Sequence, residues 1–161
     1  MNHDTLTTLA TLVGSKLKQR GLMLVTAESC TGGWVGQEMT AIAGSSDYYE
    51  CGFITYSNRA KQDMLGVPAD ILERHGAVSE DTVRAMAAGA LARSQADLAL
   101  SVSGVAGPGG GSARNPVGTV CFGWALKGAG PQSARRYFQG DREAVRRQSV
   151  ICALQGVLER L

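Results

Sequence analysis

Apolar positions along the chain follow two alternating rhythms, one of helices and one of short buried strands. Leu6, Leu9, Leu12, Val13 and Leu17 recur at helical spacing across residues 5–20, and Arg20-Gly21 supplies a basic last turn followed by a glycine stop. Leu22-Met23-Leu24-Val25-Thr26 is then an unbroken apolar run of strand length. It breaks at Ala27-Glu28-Ser29-Cys30-Thr31-Gly32-Gly33, and a helix resumes over Trp34 to Thr40. Gly44-Ser45-Ser46-Asp47 reads as a turn, Tyr49 to Ser57 as a second strand, and Asn58 through Leu65 as a helix opened by a capping-type residue. Pro68 begins a short helix to His75. Ser79 begins a longer one to Gln95, with Glu80 and Asp81 in the first turn, where negative charge suits the helix dipole. Asp97 to Ser103 forms a third strand, Gly104 to Pro116 a glycine-rich loop, and Val117 to Leu126 and Ser133 to Phe138 a fourth and fifth strand. Asp141 caps a last helix to Leu161, with Val150, Leu154, Val157 and Leu161 at core spacing.

Strands alternating with helices predict an α/β fold, with a mostly parallel sheet covered on both faces. The last two strands are joined by a short connection around Gly128-Ala129-Gly130, too short for a parallel crossover, so that pair is expected to be antiparallel and the sheet mixed. No repeat or linker interrupts the 161 residues, which read as one domain, 1–161. In open α/β sheets ligands bind outside the carboxyl ends of the strands. Three segments fall at those ends: Ala27–Gly33, Tyr56–Lys61 and Ser103–Gly111.

Composition narrows the function. Hydrophobic residues at 44% and charged residues at 19% exclude a disordered chain. A balance of 16 basic against 14 acidic side chains argues against nucleic acid or an anionic membrane as the main partner, although Arg135, Arg136, Arg142, Arg146 and Arg147 form a local basic cluster. Glycine, at 21 residues, is about twice its usual share and gathers at 32–33, 104–111 and 128–130, a distribution suited to close approach of backbone to a ligand. Cys30, Cys51, Cys121 and Cys152 are dispersed, with no C-x-x-C pair for zinc or redox chemistry. Without a signal-peptide pattern or an apolar run of about 18 residues, the expectation is a cytoplasmic protein with reduced thiols.

The chemistry concentrates at the predicted rim. Ser29 follows a strand and precedes a helix, which would expose its hydroxyl beside unpaired backbone N–H groups, the logic of a nucleophile elbow. The plainer reading makes Ser29 or Thr31 the N-cap of that helix. A serine nucleophile needs a base, and both histidines, His3 and His75, fall away from the strand ends. Lys61, on the first turn of its helix, could serve if burial made it neutral; otherwise it is a solvated helix residue. Tyr56, five residues earlier on the same rim, could hydrogen-bond either partner. The loop Ser103-Gly104-Val105-Ala106-Gly107-Pro108-Gly109-Gly110-Gly111-Ser112 offers backbone to an anion or ribose, yet matches neither a Walker A loop nor G-x-G-x-x-G, and can also be read as a surface loop. Arg142 could pair with a phosphate, and Cys30 is either a thiol nucleophile or a small core residue.

Several segments together carry a resemblance: Ala27-Glu28-Ser29-Cys30-Thr31-Gly32-Gly33, Ala43-Gly44-Ser45-Ser46, Gly52-Phe53-Ile54-Thr55-Tyr56-Ser57-Asn58 with Lys61, His75-Gly76-Ala77-Val78-Ser79, and Ser103-Gly104-Val105-Ala106-Gly107-Pro108 with Pro116-Val117-Gly118-Thr119-Val120. In this order, over essentially the whole chain, they resemble the CinA C-terminal domain family, whose stand-alone bacterial members are nicotinamide mononucleotide deamidases. The resemblance implies a three-layer α/β/α sandwich with a five-stranded mixed sheet. It also implies hydrolysis of the nicotinamide amide by a Ser/Lys dyad without metal or cofactor. Carried onto this sequence, Lys61 is the base and Ser29 the nucleophile, with Ser46 the rival hydroxyl, and the departing ammonia takes its proton from Lys61 or Tyr56. Cys30, Thr31 and Gly32, with Gly33, supply backbone N–H groups; Gly104, Val105, Ala106, Gly107 and Arg142 hold ribose and phosphate.

A non-catalytic nucleotide-binding module is the alternative, and a metal-dependent phosphohydrolase is disfavoured because acidic residues do not cluster at any strand end. The last helix carries Val150, Ile151, Leu154, Val157, Leu158 and Leu161, an apolar face wide enough to suggest sheet packing plus a subunit contact, hence a homodimer or higher homo-oligomer.

Overall fold

A computed structural model describes residues 2–161, with side chains from Thr5 onward. The side chain of His3 therefore lies outside the described residues. Helix α1 spans Asn2–Arg20, and Gly21, at φ +65°, turns the chain so that Leu22 N–H donates back to Leu17 O. That reversal uses up Leu22 and Met23, so strand β1 runs Leu24–Glu28, two residues later than the apolar run predicts. Helix α2 (Trp34–Thr40), a 3₁₀ turn at Ser45–Asp47, β2 (Tyr49–Ile54), α3 (Asn58–Leu65), α4 (Ala69–His75) and α5 (Glu80–Ala92) follow. The chain continues through β3 (Leu98–Gly104), β4 (Thr119–Leu126), β5 (Gln132–Tyr137) and α6 (Arg142–Glu159).

The five strands form one sheet in the order β2-β1-β3-β4-β5. β1 pairs in parallel with β2 and with β3, whereas β3–β4 and β4–β5 are antiparallel. The antiparallel β4–β5 pair matches the short connection between them. The antiparallel β3–β4 pair was not anticipated: the glycine-rich loop returns the chain alongside β3 with no crossover helix. Only β4 is reversed among the five strands.

Alternation along the central strands divides the core in two. Leu24, Leu98, Leu100, Val102, Val120, Phe122 and Trp124 face α1, α2 and α6; Val25, Ala27, Ala99, Cys121 and Ala125 face the layer of α3, α4 and α5. The result is the expected α/β/α sandwich. Close approach of α5 to α3 depends on Gly89, where a Cβ would run into the Leu65 carbonyl. The contact holds α3, which carries Lys61, close against α5. The breadth of the apolar face on α6 is met largely within the chain: Val150, Leu154 and Val157 are buried, and Ile151 and Leu158 pack against the same core, with α1 alongside α6.

Candidate active site

The carboxyl end of β1 delivers Glu28 and Ser29 to the rim. Ser29 N–H donates to Val102 O at 3.0 Å, which extends the β1–β3 ladder by one residue before the chain turns. Neither Ser29 nor Thr31 caps the next helix, contrary to the plainer reading of the sequence. The N-cap of α2 is Gly33, at φ +105°, with no side-chain bond of its own. The hydroxyl of Ser29 is thereby left free of a capping role.

The amine of Lys61 arrives on α3, just beyond the neighbouring strand. β2 ends at Ile54, three residues before the run predicted from sequence, after which Thr55 N–H donates to Glu28 O at 2.8 Å. Ser57, not Asn58, is the N-cap of α3, accepting from Ala60 N–H. Between strand end and helix start the carbonyls of Thr55 and Tyr56 turn inward. Lys61 Nζ lies 2.8 Å from Thr55 O, 3.1 Å from Tyr56 O and 3.0 Å from Ser29 Oγ. Lys61 is 0% exposed, and it has no carboxylate partner among the described residues. The three oxygens match the three donors of an ammonium; once deprotonated, the amine can keep its N–H bonds to the two carbonyls and turn its lone pair to the serine hydroxyl. Burial pulls the Lys61 ammonium down from 10.5 to about 8.

The surrounding cleft is lined by Ser29, Cys30, Tyr56, Lys61, Ala77, Val78, Ser103, Gly104, Ala106 and Arg142, and encloses about 450 Å³ counted out to solvent. Cys30 is a wall residue. Burial pushes its thiol up to about 12, so it stays protonated and a poor nucleophile. Tyr56 meets Lys61 through its carbonyl, while its ring is 65% exposed and its hydroxyl accepts from Arg142 Nη2 at 3.4 Å. Arg142 also donates to Gly107 O at 2.7 Å, which ties the glycine-rich loop to the first turn of α6.

Other residues expected at the site stand behind it or away from it. Thr31 is fully buried and its hydroxyl donates to the Glu28 carboxylate at 2.6 Å, so it does not reach the cleft. Gly32 N–H is spent on Ser29 O at 3.1 Å and Gly33 N–H on Glu28 Oε1 at 3.2 Å; neither is free for an oxyanion. Among the described residues, the N–H groups of Cys30 and Thr31 have no main-chain acceptor. Val105 uses both its N–H and its C=O in bonds to Thr119 and Gly118. Ser46 sits in the 3₁₀ turn before β2, at the amino end of the strands and so on the opposite rim from Ser29.

Three contributors escaped the sequence reading. Ala77 and Val78 line the cleft beside Ser103 of the predicted rim, and Arg146, one turn after Arg142, donates to Cys30 O at 3.0 Å and Thr31 O at 3.1 Å, bolting α6 to the serine turn. The nearest signals were the i, i+4 spacing of the two arginines and the His75–Ser79 segment already noted.

With the geometry in place, comparison with known proteins is direct. The CinA C-terminal domain profile matches residues 6–161. The nicotinamide-nucleotide amidohydrolase PncC of Escherichia coli K12 is 53% identical over 155 residues, covering 96% of this chain and 94% of that protein. The protein of the same name from Pseudomonas putida is 51% identical over 156 residues, covering 97% of each. Among solved structures, the competence/damage inducible protein CihA from Agrobacterium tumefaciens superposes with a TM-score of 0.93 at 43% identity, covering 96% of this chain and 94% of that one. A match that runs from the first helix to the last residue, with the same sandwich beneath it, places this chain in the CinA C-terminal domain family.

Proposed function

We propose that this chain hydrolyses the carboxamide of nicotinamide mononucleotide to nicotinate mononucleotide and ammonia, using Ser29 as nucleophile and Lys61 as base. The observation that carries the reading is the fully buried, carboxylate-free Lys61 amine held 3.0 Å from Ser29 Oγ. Neutral Lys61 takes the hydroxyl proton as Ser29 Oγ bonds to the amide carbon, and the carbonyl electrons move onto oxygen. The N–H of Cys30, a cleft residue whose amide has no main-chain acceptor, supplies a donor for that oxyanion. Collapse breaks the C–N bond, and the proton held on Lys61 passes to the departing amine, which leaves as ammonia. Water then gives its proton to Lys61, attacks the acyl carbon, and releases the acid with Ser29 restored. The exposed phenol of Tyr56 bonds Arg142, and Tyr56 meets Lys61 only through its carbonyl, which favours Lys61 as the proton carrier in both halves.

Arg142 and the backbone of Gly104, Ala106 and Gly107 would hold ribose and phosphate, since the guanidinium keeps further donors beyond the one on Gly107. The four free thiols support a reducing, cytoplasmic setting. Support for a homo-oligomer comes from the groove between α1 and α6, where Leu9 lies beside Leu12, itself 45% exposed. The test is ammonia release from nicotinamide mononucleotide, with nicotinate mononucleotide identified as co-product by mass spectrometry. Stoichiometric release supports the amidase; tight binding of the nucleotide with no ammonia would favour a non-catalytic binding module.

A further inference from the structure

Among the described residues, Glu28 is the buried acid at this rim that the chemistry above does not use. It is 2% exposed, immediately precedes Ser29, and four donors converge on its carboxylate. Oε1 accepts from Thr31 Oγ1 at 2.6 Å, Val35 N–H at 2.9 Å and Gly33 N–H at 3.2 Å, and Oε2 accepts from Gly36 N–H at 3.0 Å. Each of these contacts asks the carboxylate to accept and none asks it to donate, which is what an ionised carboxylate satisfies. The bonds reach forward three to eight residues, so they fold the chain after Ser29 back upon the residue before it. A carboxylate with several charge-assisted bonds holds its partners more stiffly than neutral groups would.

We propose that Glu28 is a positioning residue: its carboxylate fixes the turn Ser29–Gly33 so that Ser29 Oγ and the N–H of Cys30 are held in place at the cleft. Arg146 grips the same turn from outside through the carbonyls of Cys30 and Thr31. Glu28 draws in the hydroxyl of Thr31 and the amides of Gly33, Val35 and Gly36, so the turn is held from both sides. Glu28 acts on geometry and not on the proton of Lys61, whose depressed pKa comes from burial. Glutamine cannot replace it, because an Nε2 amide in either oxygen position would face a donor.

The inference rests on the amidase reading for its kinetic part only. Glu28→Gln is to be compared with the wild type in ammonia release across pH, in thermal melting, and in amide hydrogen exchange of the peptide covering residues 29–36. The expected result is a fall in kcat of about 10²-fold with KM changed by less than about threefold, a rate–pH midpoint left in place, and faster exchange in that peptide. A folded variant with wild-type kcat overturns the proposal, as does a shifted midpoint at unchanged plateau, which would mean that Glu28 acts through charge on Lys61. If the wild type releases no ammonia, the substrate assignment fails, and the exchange comparison alone decides Glu28: unchanged protection of residues 29–36 refutes it. Should Glu28→Gln not fold, Thr31→Val removes one donor from the carboxylate while leaving the acid in place. It is expected to lower kcat about tenfold at constant KM, and an unchanged kcat there would equally count against the role.

Discussion

Replacing Lys61 by methionine gives a quantitative test of how the base is prepared, independent of any substrate. Methionine keeps much of the side-chain length and removes the titratable amine. In the folded protein Lys61 gives up its proton near about 8, against 10.5 for an unburied lysine. At about 1.4 kcal/mol for each pH unit, holding the charged form inside costs the fold about 3 kcal/mol. Between these two values the unfolded chain binds more protons than the folded one, so stability rises with pH across that window. The full cost applies below about pH 8 and vanishes above about pH 10.5. Lys61→Met has no such dependence. It also loses the bonds to Thr55 O, Tyr56 O and Ser29 Oγ, which adds an offset that hardly varies with pH. Integrating between about pH 7 and about pH 9.5, the wild type should gain about 2 kcal/mol relative to the variant. Urea unfolding followed by circular dichroism at several pH values measures this difference, and shared titrations cancel in the subtraction. A difference that stays flat, or that falls with rising pH, would refute the idea that burial holds Lys61 neutral.

The same depressed value sets the kinetics: kcat/KM for ammonia release should climb as pH rises through about 8 and then level off, and a midpoint above 10 would return Lys61 to an ordinary solvated amine. Activity should survive dialysis against EDTA, because the proposed nucleophile and base are both side chains; loss restored by zinc or magnesium would show that a cation takes part. Light scattering at micromolar concentration should give a mass at least twice 16.9 kDa, and a monomer there would remove the α1–α6 groove as a subunit contact.

The layers were legible from the sequence because they rest on periodicity, the most local of signals. Val150, Leu154 and Val157 at core spacing, or the unbroken β3 run, need no knowledge of distant residues. The rim was legible for the same reason, since Ser29 and Lys61 follow strand ends. What the sequence withheld lies in bonds between distant segments or between side chain and backbone. The inward turn of the Thr55 and Tyr56 carbonyls depends on Thr55 N–H finding Glu28 O, a strand-end contact with no local mark. Glu28 caps α2 from six residues before it, where capping rules look at the immediate neighbour, so Ser29 and Thr31 competed for a role that neither has. Arg146 reaches back across the fold to Cys30 and Thr31, and its character as a fastener was hidden among five clustered arginines. The sequence did not say which rim Ser46 occupies; the parallel register of β1 and β2 puts it at the opposite end of the strands from Ser29.

The central claim is that Ser29 and Lys61 act as one unit. The most direct measurement is ammonia release from nicotinamide mononucleotide by Ser29→Ala, Lys61→Arg and the double variant, beside a calorimetric titration of the same nucleotide. Arginine keeps the positive charge but does not deprotonate, so it removes the base alone. Each single change should lower kcat by about 10³-fold or more, the double variant should be no worse than either, and the nucleotide should still bind. Near wild-type turnover in Ser29→Ala, or losses that multiply in the double variant, would contradict the dyad; if Ser46→Ala were inactive at the same time, the nucleophile would be Ser46.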